Sequence, residues 1–455
     1  MAADAAPNIS SVIQRGLCHL CGTCYAVCPR DNIERGRTAG RGFRFRVLDP
    51  AQCQGCGLCA QACPGAAIDL RALNEAAFGQ VPEDPMVGVV RGLYLTRAAD
   101  DHVRQCGASG GTASALQRYV LDQGIVDGVR TTRLGTDDDP LAPHPFVARS
   151  AGDLAGTAGS IYQLTPANAA LHDQLRGDVR LACVGLGCHT RGLRKAAQVA
   201  KPFREKVALL VGIFCGHNAT PAGQDHLLRR LGVDPAEVTR IRYRAGPHPG
   251  SLRVETRGGG VHQMSFRAYT YFLTAFENPR CALCTDPLNA LADLAIGDAW
   301  LPHLREKGGW NLTIVRSARG EAIFRQAVDD GALVARPAEP DVIQRTQALV
   351  LYRRNRAGEA RARILRLLGR SLPHEPGMVR EKPRRRDYVH ALQLLALQWL
   401  FGGPLRRRLV EPILPLLLAA DRRTMRRKDK AAGRSADWIQ QFEESEGEGE
   451  GRGPA

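Results

Sequence analysis

The chain has 455 residues, 44% of them hydrophobic and only 5% aromatic, with a net charge of +16. That length predicts two or three domains whose cores rest on Leu, Val, Ala and Ile rather than on aromatic rings. No stretch offers eighteen uninterrupted apolar residues, and MAADAAPNISSVIQ lacks the basic-then-apolar order of a secretory signal. A membrane-spanning or exported protein is therefore not predicted, and the reading is cytoplasmic. Fourteen cysteines in such a protein point to metal ligation, because the cytosol keeps thiols reduced.

Residues 16–70 are dense in Cys and Gly. The first motif runs Cys18, Cys21, Cys24, Cys28 and Pro29, and the second runs Cys53, Cys56, Cys59, Cys63 and Pro64. Both follow C-x2-C-x2-C-x3-C-P, the spacing of a two-cluster 4Fe–4S ferredoxin. Three thiolates wrap one cube, and the proline turns the fourth toward the other cluster. Cys18, Cys21, Cys24 and Cys63 are thus assigned to one cluster, and Cys53, Cys56, Cys59 and Cys28 to the second. Zinc sites typically use separated C-x2-C pairs instead. Gly22, Gly55 and Gly57 suit loops where backbone N–H groups approach sulfur.

Residues 86–345 alternate strand-like runs with helical patterns. Gly107, Ser109, Gly110, Gly111 and Thr112 precede a helix, SALQRYVLDQG, and two readings stay open. The turn could cradle a phosphate at a helix N-terminus, or it could be an ordinary capped helix start. VRLACVGLGC (179–188) and VALLVGIFC (207–215) read as buried strands running into loops, with a helical segment between them. That spacing predicts a parallel sheet with crossover helices, and such sheets bind ligands beyond the carboxyl ends of their strands. VGLGCHTRG lacks the G-x-G-x-x-G spacing of a nicotinamide site.

Six further cysteines remain. Cys281 and Cys284 form a C-x2-C pair, and Cys188 and Cys215 end the two predicted strands. Together these four could hold a third 4Fe–4S cluster; the alternative is that they are small buried hydrophobes. For Cys183, inside an apolar strand, the apolar reading is preferred, and Cys106 stays ambiguous. Asp286, Asp293 and Asp298 could relay protons or simply anchor loops. His189 and His217 could donate to cluster or substrate, or be loop histidines.

Residues 346–432 are rich in Arg and Leu and predict helices. HALQLLALQWLF carries apolar residues at helical spacing, flanked by arginines suited to lipid headgroups or an acidic partner. Equally, the helix could pack on the body with its arginines solvated. No nucleic-acid-binding module is recognised. Residues 433–455 predict a disordered acidic tail, since the segment from Glu443, EESEGEGEGRGPA, has no apolar content to bury.

The ordered set CGASGGTASALQRYVLDQGIVDGV (106–129), GSIYQ (159–163), VGLGCHTRGLRK (184–195), GIFCGHN (212–218) and CALCTDPLNALADLAIGDAW (281–300) resembles the coenzyme F420 hydrogenase/dehydrogenase beta-subunit family. Gly187 stands where members of that family usually carry a proline. The resemblance covers roughly residues 15–345 and, with the composition, gives an α/β architecture of three parts: a ferredoxin-like domain (1–75), an FAD-binding oxidoreductase domain (86–345) and, from composition alone, a basic helical region (346–432). It implies FAD held by Ser109, Gly110, Gly111 and Thr112, and by Ser160 and Tyr162, and it points to Cys188, Cys215, Cys281 and Cys284 as ligands. It also implies electron exchange between clusters and a two-electron carrier such as a deazaflavin coenzyme, alongside a redox partner or hydrogenase/dehydrogenase-like subunit. A non-catalytic electron-transfer subunit is the alternative. Peripheral membrane contact through the basic region is a further expectation.

Overall fold

A computed structural model describes residues 8–416, apart from 38–41, 66, 302–303, 305–307 and 415. The tail predicted over 433–455 and the stretch 417–432 of the basic region lie outside the described residues.

Each four-cysteine run folds into a loop and one short helix, Thr23–Val27 and Leu58–Gln61. The glycines that enter these helices, Gly22 and Gly57, have φ of 85° and 72°, values that L side chains avoid. Between the runs, β1 (Ile33–Arg37) and β2 (Phe43–Val47) form an antiparallel hairpin. Ile9, Val12, Leu17, Ile33 and Phe45 make a small core with Cys24 and Cys63.

The body is built on an eight-stranded mixed sheet. Its strands are β3 (Gly92–Ala98), β4 (Gly128–Leu134), β5 (Pro143–Ala148), β6 (Leu181–Gly185) and β7 (Val207–Ile213). After β8 (Val238–Ala245), β9 (Ser251–Thr256) and β10 (Val261–Ser265), which pair as a separate meander, come β11 (Leu294–Asp298), β12 (Asn311–Val315) and β13 (Leu333–Pro337). The order is β13-β3-β12-β11-β7-β6-β4-β5. The central strands β11, β7, β6 and β4 are parallel, and the margins are antiparallel.

The innermost strands β6 and β7 are apolar throughout because both faces are covered. One face packs against Leu116, Tyr119 and Val120 of the helix Thr112–Asp122 and Phe324 of the helix Ala318–Asp329. The other packs against Leu193 and Ala196 of the helix Gly187–Val199, and Phe203. That helix begins at Gly187, so Cys188 lies in its first turn rather than in a loop.

The C-terminal region is helical, with Asp341–Arg354, Arg356–Leu367, Arg385–Gly402 and Pro404–Val410. Its arginines are not all solvated: Arg354 and Arg361 are only 3% and 1% exposed. No helix among the described residues is long and apolar enough to cross a membrane.

Candidate functional site

Cys18, Cys21, Cys24 and Cys63 line one small cavity beneath Ile9 and Phe45. Three thiols thus come from the first run and one from the second, as the motif spacing requires. The Cys59 thiol lies within electrostatic range of Cys28 and Cys56 on one side, and of Cys24 on the other. Cys56 is exposed, whereas Cys21, Cys24 and Cys63 are buried. Backbone N–H groups of Leu20 and Gly65 donate to the Cys18 and Cys63 sulfurs, each at 3.3 Å.

The module docks on the body through close backbone approaches. A Cβ on Gly22 would lie 2.6 Å from the Ala169 nitrogen, and one on Gly192 would lie 2.2 Å from Thr23 Oγ1. Asn168 Nδ2 donates to Thr23 Oγ1 at 2.8 Å and to the His189 carbonyl at 3.0 Å. The Asn168 N–H donates to the Cys21 carbonyl at 2.9 Å. One asparagine therefore ties the ferredoxin loop to the turn that carries Cys188.

The dispersed cysteines gather on the far side of this contact. Cys188 is within electrostatic range of Cys21, Cys281, Cys215 and Cys284. The Asp286 N–H donates to the Cys284 sulfur at 3.4 Å. Burial pushes the Cys18 thiol up to about 11 and that of Cys281 to about 12, and raises those of Cys24, Cys188 and Cys215 as well. Buried thiols of this kind ionise when a metal supplies the positive charge. No three Cys, His, Asp or Glu side chains among the described residues converge to single-ion distance; a cube of four irons needs its thiolates spread more widely.

Charged pairs from the C-terminal region enclose this group, and sequence reasoning missed them. Arg354 pairs with Glu277 at 3.0 Å and donates to the Cys281 and Gly216 carbonyls. Arg361 donates to the Ala282 carbonyl at 2.9 Å. Glu375 pairs with Arg280 at 3.1 Å and Arg191 at 3.4 Å. The signal is arginines at inward helical positions among alanines, in a region that reads by composition only as rich in Arg and Leu. Gly187 has its own reason: a Cβ there would stand 2.6 Å from Asp286 Oδ2. The carboxylate that fills this space pairs with Arg191 at 3.0 Å. Asp293 likewise pairs with Arg194 at 3.1 Å and accepts from the Leu210 N–H at 2.8 Å. Both aspartates are anchors.

A cavity of about 1120 Å³ opens beyond the carboxyl ends of β4, β6, β7 and β11, lined by Thr131, Gly185, Phe214 and Asp298 among others. This is the position that open α/β sheets reserve for ligands. Cys215 lines it too, so the thiol quartet and the cavity share a wall. Of the predicted cofactor residues, Ser109, Gly111, Ser160 and Tyr162 line the cavity. Gly110 and Thr112 do not. Gly110 exchanges backbone hydrogen bonds with Gly308 and Ala98, and Thr112 Oγ1 bonds to Thr96 Oγ1 at 2.9 Å, facing into the sheet. Cys183 is 2% exposed and Cys106 ends a short helix, hydrogen-bonded to His102; neither joins a cysteine group.

The cavity wall is polar at chosen points. Arg244, held at φ 60°, donates to Asp298 and to the Ala108 carbonyl, both at 2.8 Å. Its guanidinium lies over the rings of Phe266 and Trp300 at 4.9 and 5.3 Å. A non-glycine residue in that conformation costs about 1–3 kcal/mol, and nothing in the one-dimensional pattern marks Arg244. Burial holds His217 down to about 4, and its Nε2 is buried without a hydrogen-bond partner. Burial likewise takes His189 down to about 3, and the ring bonds to the Thr165 carbonyl at 3.0 Å. Both histidines are neutral.

Residues 93–172 and 178–341 match the N-terminal and C-terminal models of the coenzyme F420 hydrogenase/dehydrogenase beta subunit. Residues 17–67 match a 4Fe-4S dicluster domain. The chain is 29% identical over 268 residues to the coenzyme F420 hydrogenase subunit beta of Methanosarcina barkeri, covering 56% of this chain and 85% of the relative. It is 25% identical over 348 residues to one of the subunits of the F(420)H(2) dehydrogenase of Methanosarcina mazei, covering 73% and 88%. The solved F420-reducing [NiFe] hydrogenase complex from Methanosarcina barkeri contains a chain with a TM-score of 0.51 at 24% identity, covering 64% of this chain and 98% of that one. At that identity the likeness concerns the fold. With both halves of the family model matched in order, behind a 4Fe-4S dicluster module, the chain belongs to the coenzyme F420 hydrogenase/dehydrogenase beta-subunit family.

Proposed function

We propose that this protein is an iron–sulfur flavoprotein that carries electrons from ferredoxin-type clusters to a two-electron carrier at the cavity. The observation that carries this reading is the shared wall, because Cys215 belongs to the thiol quartet and also lines the cavity. The thiols then form a relay from exposed Cys56, through the buried group of Cys18, Cys21, Cys24 and Cys63, to Cys188, Cys215, Cys281 and Cys284.

The cavity suits FAD. Its volume of about 1120 Å³ sits above the usual range of roughly 300–1,000 Å³ for small-molecule sites. Gly111 has φ 72° and brings no capping side chain of its own; the Thr112 N–H donates to Asn311 Oδ1 at 3.2 Å, and the N–H groups of cavity-lining Ala113 and Ser114 would be left to meet a phosphate. The orphan Nε2 of His217 offers one further polar contact. A bound flavin supplies the junction between one-electron and two-electron chemistry. Around it, Ser160 and Tyr162 orient the ring system, Arg244 holds the Asp298 carboxylate at the cavity edge, and Phe266 and Trp300 exclude water. The substrate class is a deazaflavin coenzyme or a related hydride carrier. Quantifying flavin, iron and sulfide in anaerobically purified protein tests the reading: bound FAD with about twelve irons is expected, four per cluster. Clusters without flavin would favour a non-catalytic electron-transfer subunit, the second reading, which exposed Cys56 also suits as the docking point of a partner subunit in the cytoplasm.

The end of the described chain is read as a lipid-facing surface. The helix Arg385–Gly402 buries His390, Ala391, Leu394 and Phe401, and exposes Val389, Leu392 and Trp399 on another face. Leu405, Leu409, Ile413 and Leu416, which follow in the chain, are exposed as well. Arg406 stacks over Trp399 at 4.2 Å, and the sequence runs on into Arg422, Arg423, Arg426, Arg427 and Lys428. Apolar anchors beside arginines complement an anionic bilayer. Holoprotein should sediment with phosphatidylcholine vesicles containing phosphatidylglycerol and not with pure phosphatidylcholine, and W399A/L405S should abolish this. Sedimentation with neither, or dimerisation through this face, would overturn the reading.

A further inference from the structure

Four of the eight buried arginines among the described residues face a carboxylate: Arg191 meets Asp286, Arg354 meets Glu277, Arg280 meets Glu375 and Arg244 meets Asp298. Arg130 does not. It lies on β4 and is 1% exposed, and its Nη1 donates to the Val184 carbonyl. Its Nε is buried without a partner. Among the described residues the groups that can bring negative charge to it are thiols. Cys183 is its register partner on neighbouring β6, pointing to the same face. Beyond it stand Cys188 and Cys21, one from each of two separate cysteine groups.

The backbone shows why those two groups meet here. A Cβ on Gly185 would lie 2.9 Å from Arg130 Nη1 and 2.8 Å from His189 Nδ1. The guanidinium therefore sits against the first turn of the helix Gly187–Val199, whose second residue is Cys188. Asn168 ties the Cys21 loop to the same turn. Cys183 does not neutralise the cation, because burial keeps its thiol above the ordinary range and so protonated.

A fully buried cation is costly unless an opposite charge meets it. We propose that Arg130 sets the reduction potentials of the cluster held by Cys18, Cys21, Cys24 and Cys63 and of the cluster held by Cys188, Cys215, Cys281 and Cys284, raising both. Each reduction takes one electron from the preceding carrier in the relay and adds one negative charge to a cluster with its thiolates. A fixed positive charge in low dielectric favours that more negative state. A charge near both clusters acts on both, so their midpoints move in the same direction. The half concerning the second cluster rests on the quartet reading above; the half concerning Cys21 does not.

The test is an EPR-monitored redox titration of the anaerobic holoprotein. R130Q is expected to lower the midpoints of both clusters by at least tenfold in the one-electron equilibrium, 59 mV, at unchanged iron content. R130K should stay within tenfold of the unsubstituted protein, and C183A should leave both midpoints in place. If R130Q does not fold, R130M, apolar and of similar length, should give the same shift. Midpoints within tenfold of the unsubstituted protein in a neutral variant would overturn the inference, as would equal shifts in C183A. Absence of a third cluster signal in the unsubstituted protein would sink the quartet reading alone, leaving the shift of the Cys21 cluster as the test of Arg130.

Discussion

Two groups of cysteines reach comparable surroundings by opposite routes. The eight motif cysteines lie within 46 residues, from Cys18 to Cys63, and their spacing brings them together with little help beyond three positive-φ glycines, Gly22, Gly55 and Gly57, and a small core. Cys188, Cys215, Cys281 and Cys284 span 97 residues. They meet because β6 and β7 are parallel neighbours that end on the same edge, and because a loop held by buried ion pairs carries the C-x2-C pair there. A local site depends on its own turns; a dispersed site depends on the whole sheet and on the C-terminal helices that enclose it.

That contrast can be broken or sharpened by substitution. The largest effect is expected from C281S, which should remove about four of about twelve irons, one whole cluster, and leave the two ferredoxin-type EPR signals in place; loss of all iron would mean that the two groups are not independent. Next comes R354L. It leaves Glu277 buried without its partner, at 2% side-chain exposure, and should cost about 3–5 kcal/mol in chemical denaturation. R356L, whose guanidinium pairs with a largely exposed carboxylate, should cost within about 1 kcal/mol. G187A is smaller than R354L, about 1–3 kcal/mol, because its Cβ must displace Asp286 from Arg191; a lower thermal midpoint should accompany partial loss of the C281S-sensitive iron. Smallest is L392S on the exposed face of the helix Arg385–Gly402, within about 0.5 kcal/mol in solution, with its effect confined to vesicle binding.

The same contrast sets how much was legible beforehand. The ferredoxin module, the strand–helix–strand core and the helix after the glycine-rich turn could be read from spacing and periodicity, since each is governed by neighbours a few residues apart. Within the glycine-rich turn the residues divide. Ser109 and Gly111 reach the cavity, whereas Gly110 and Thr112 are spent on Gly308 and Thr96, a division made by β12 and β3 packing from either side. Asp286 and Asp293 proved to be anchors, and Asp298 faces the cavity.

What the sequence by itself determined is the cysteine inventory, the two-run ferredoxin pattern and the alternation of strands with helices. These follow from short spacings and from hydrophobic period. Only the tertiary structure decided that Cys215 shares a wall with the cavity, that Arg354 and Arg361 are interior, and that Arg130 stands between two cysteine groups with no carboxylate of its own. An arginine reads the same in a sequence whether it meets water or a thiol. Burial and partner, set by contacts between distant segments, give it its electrostatic role.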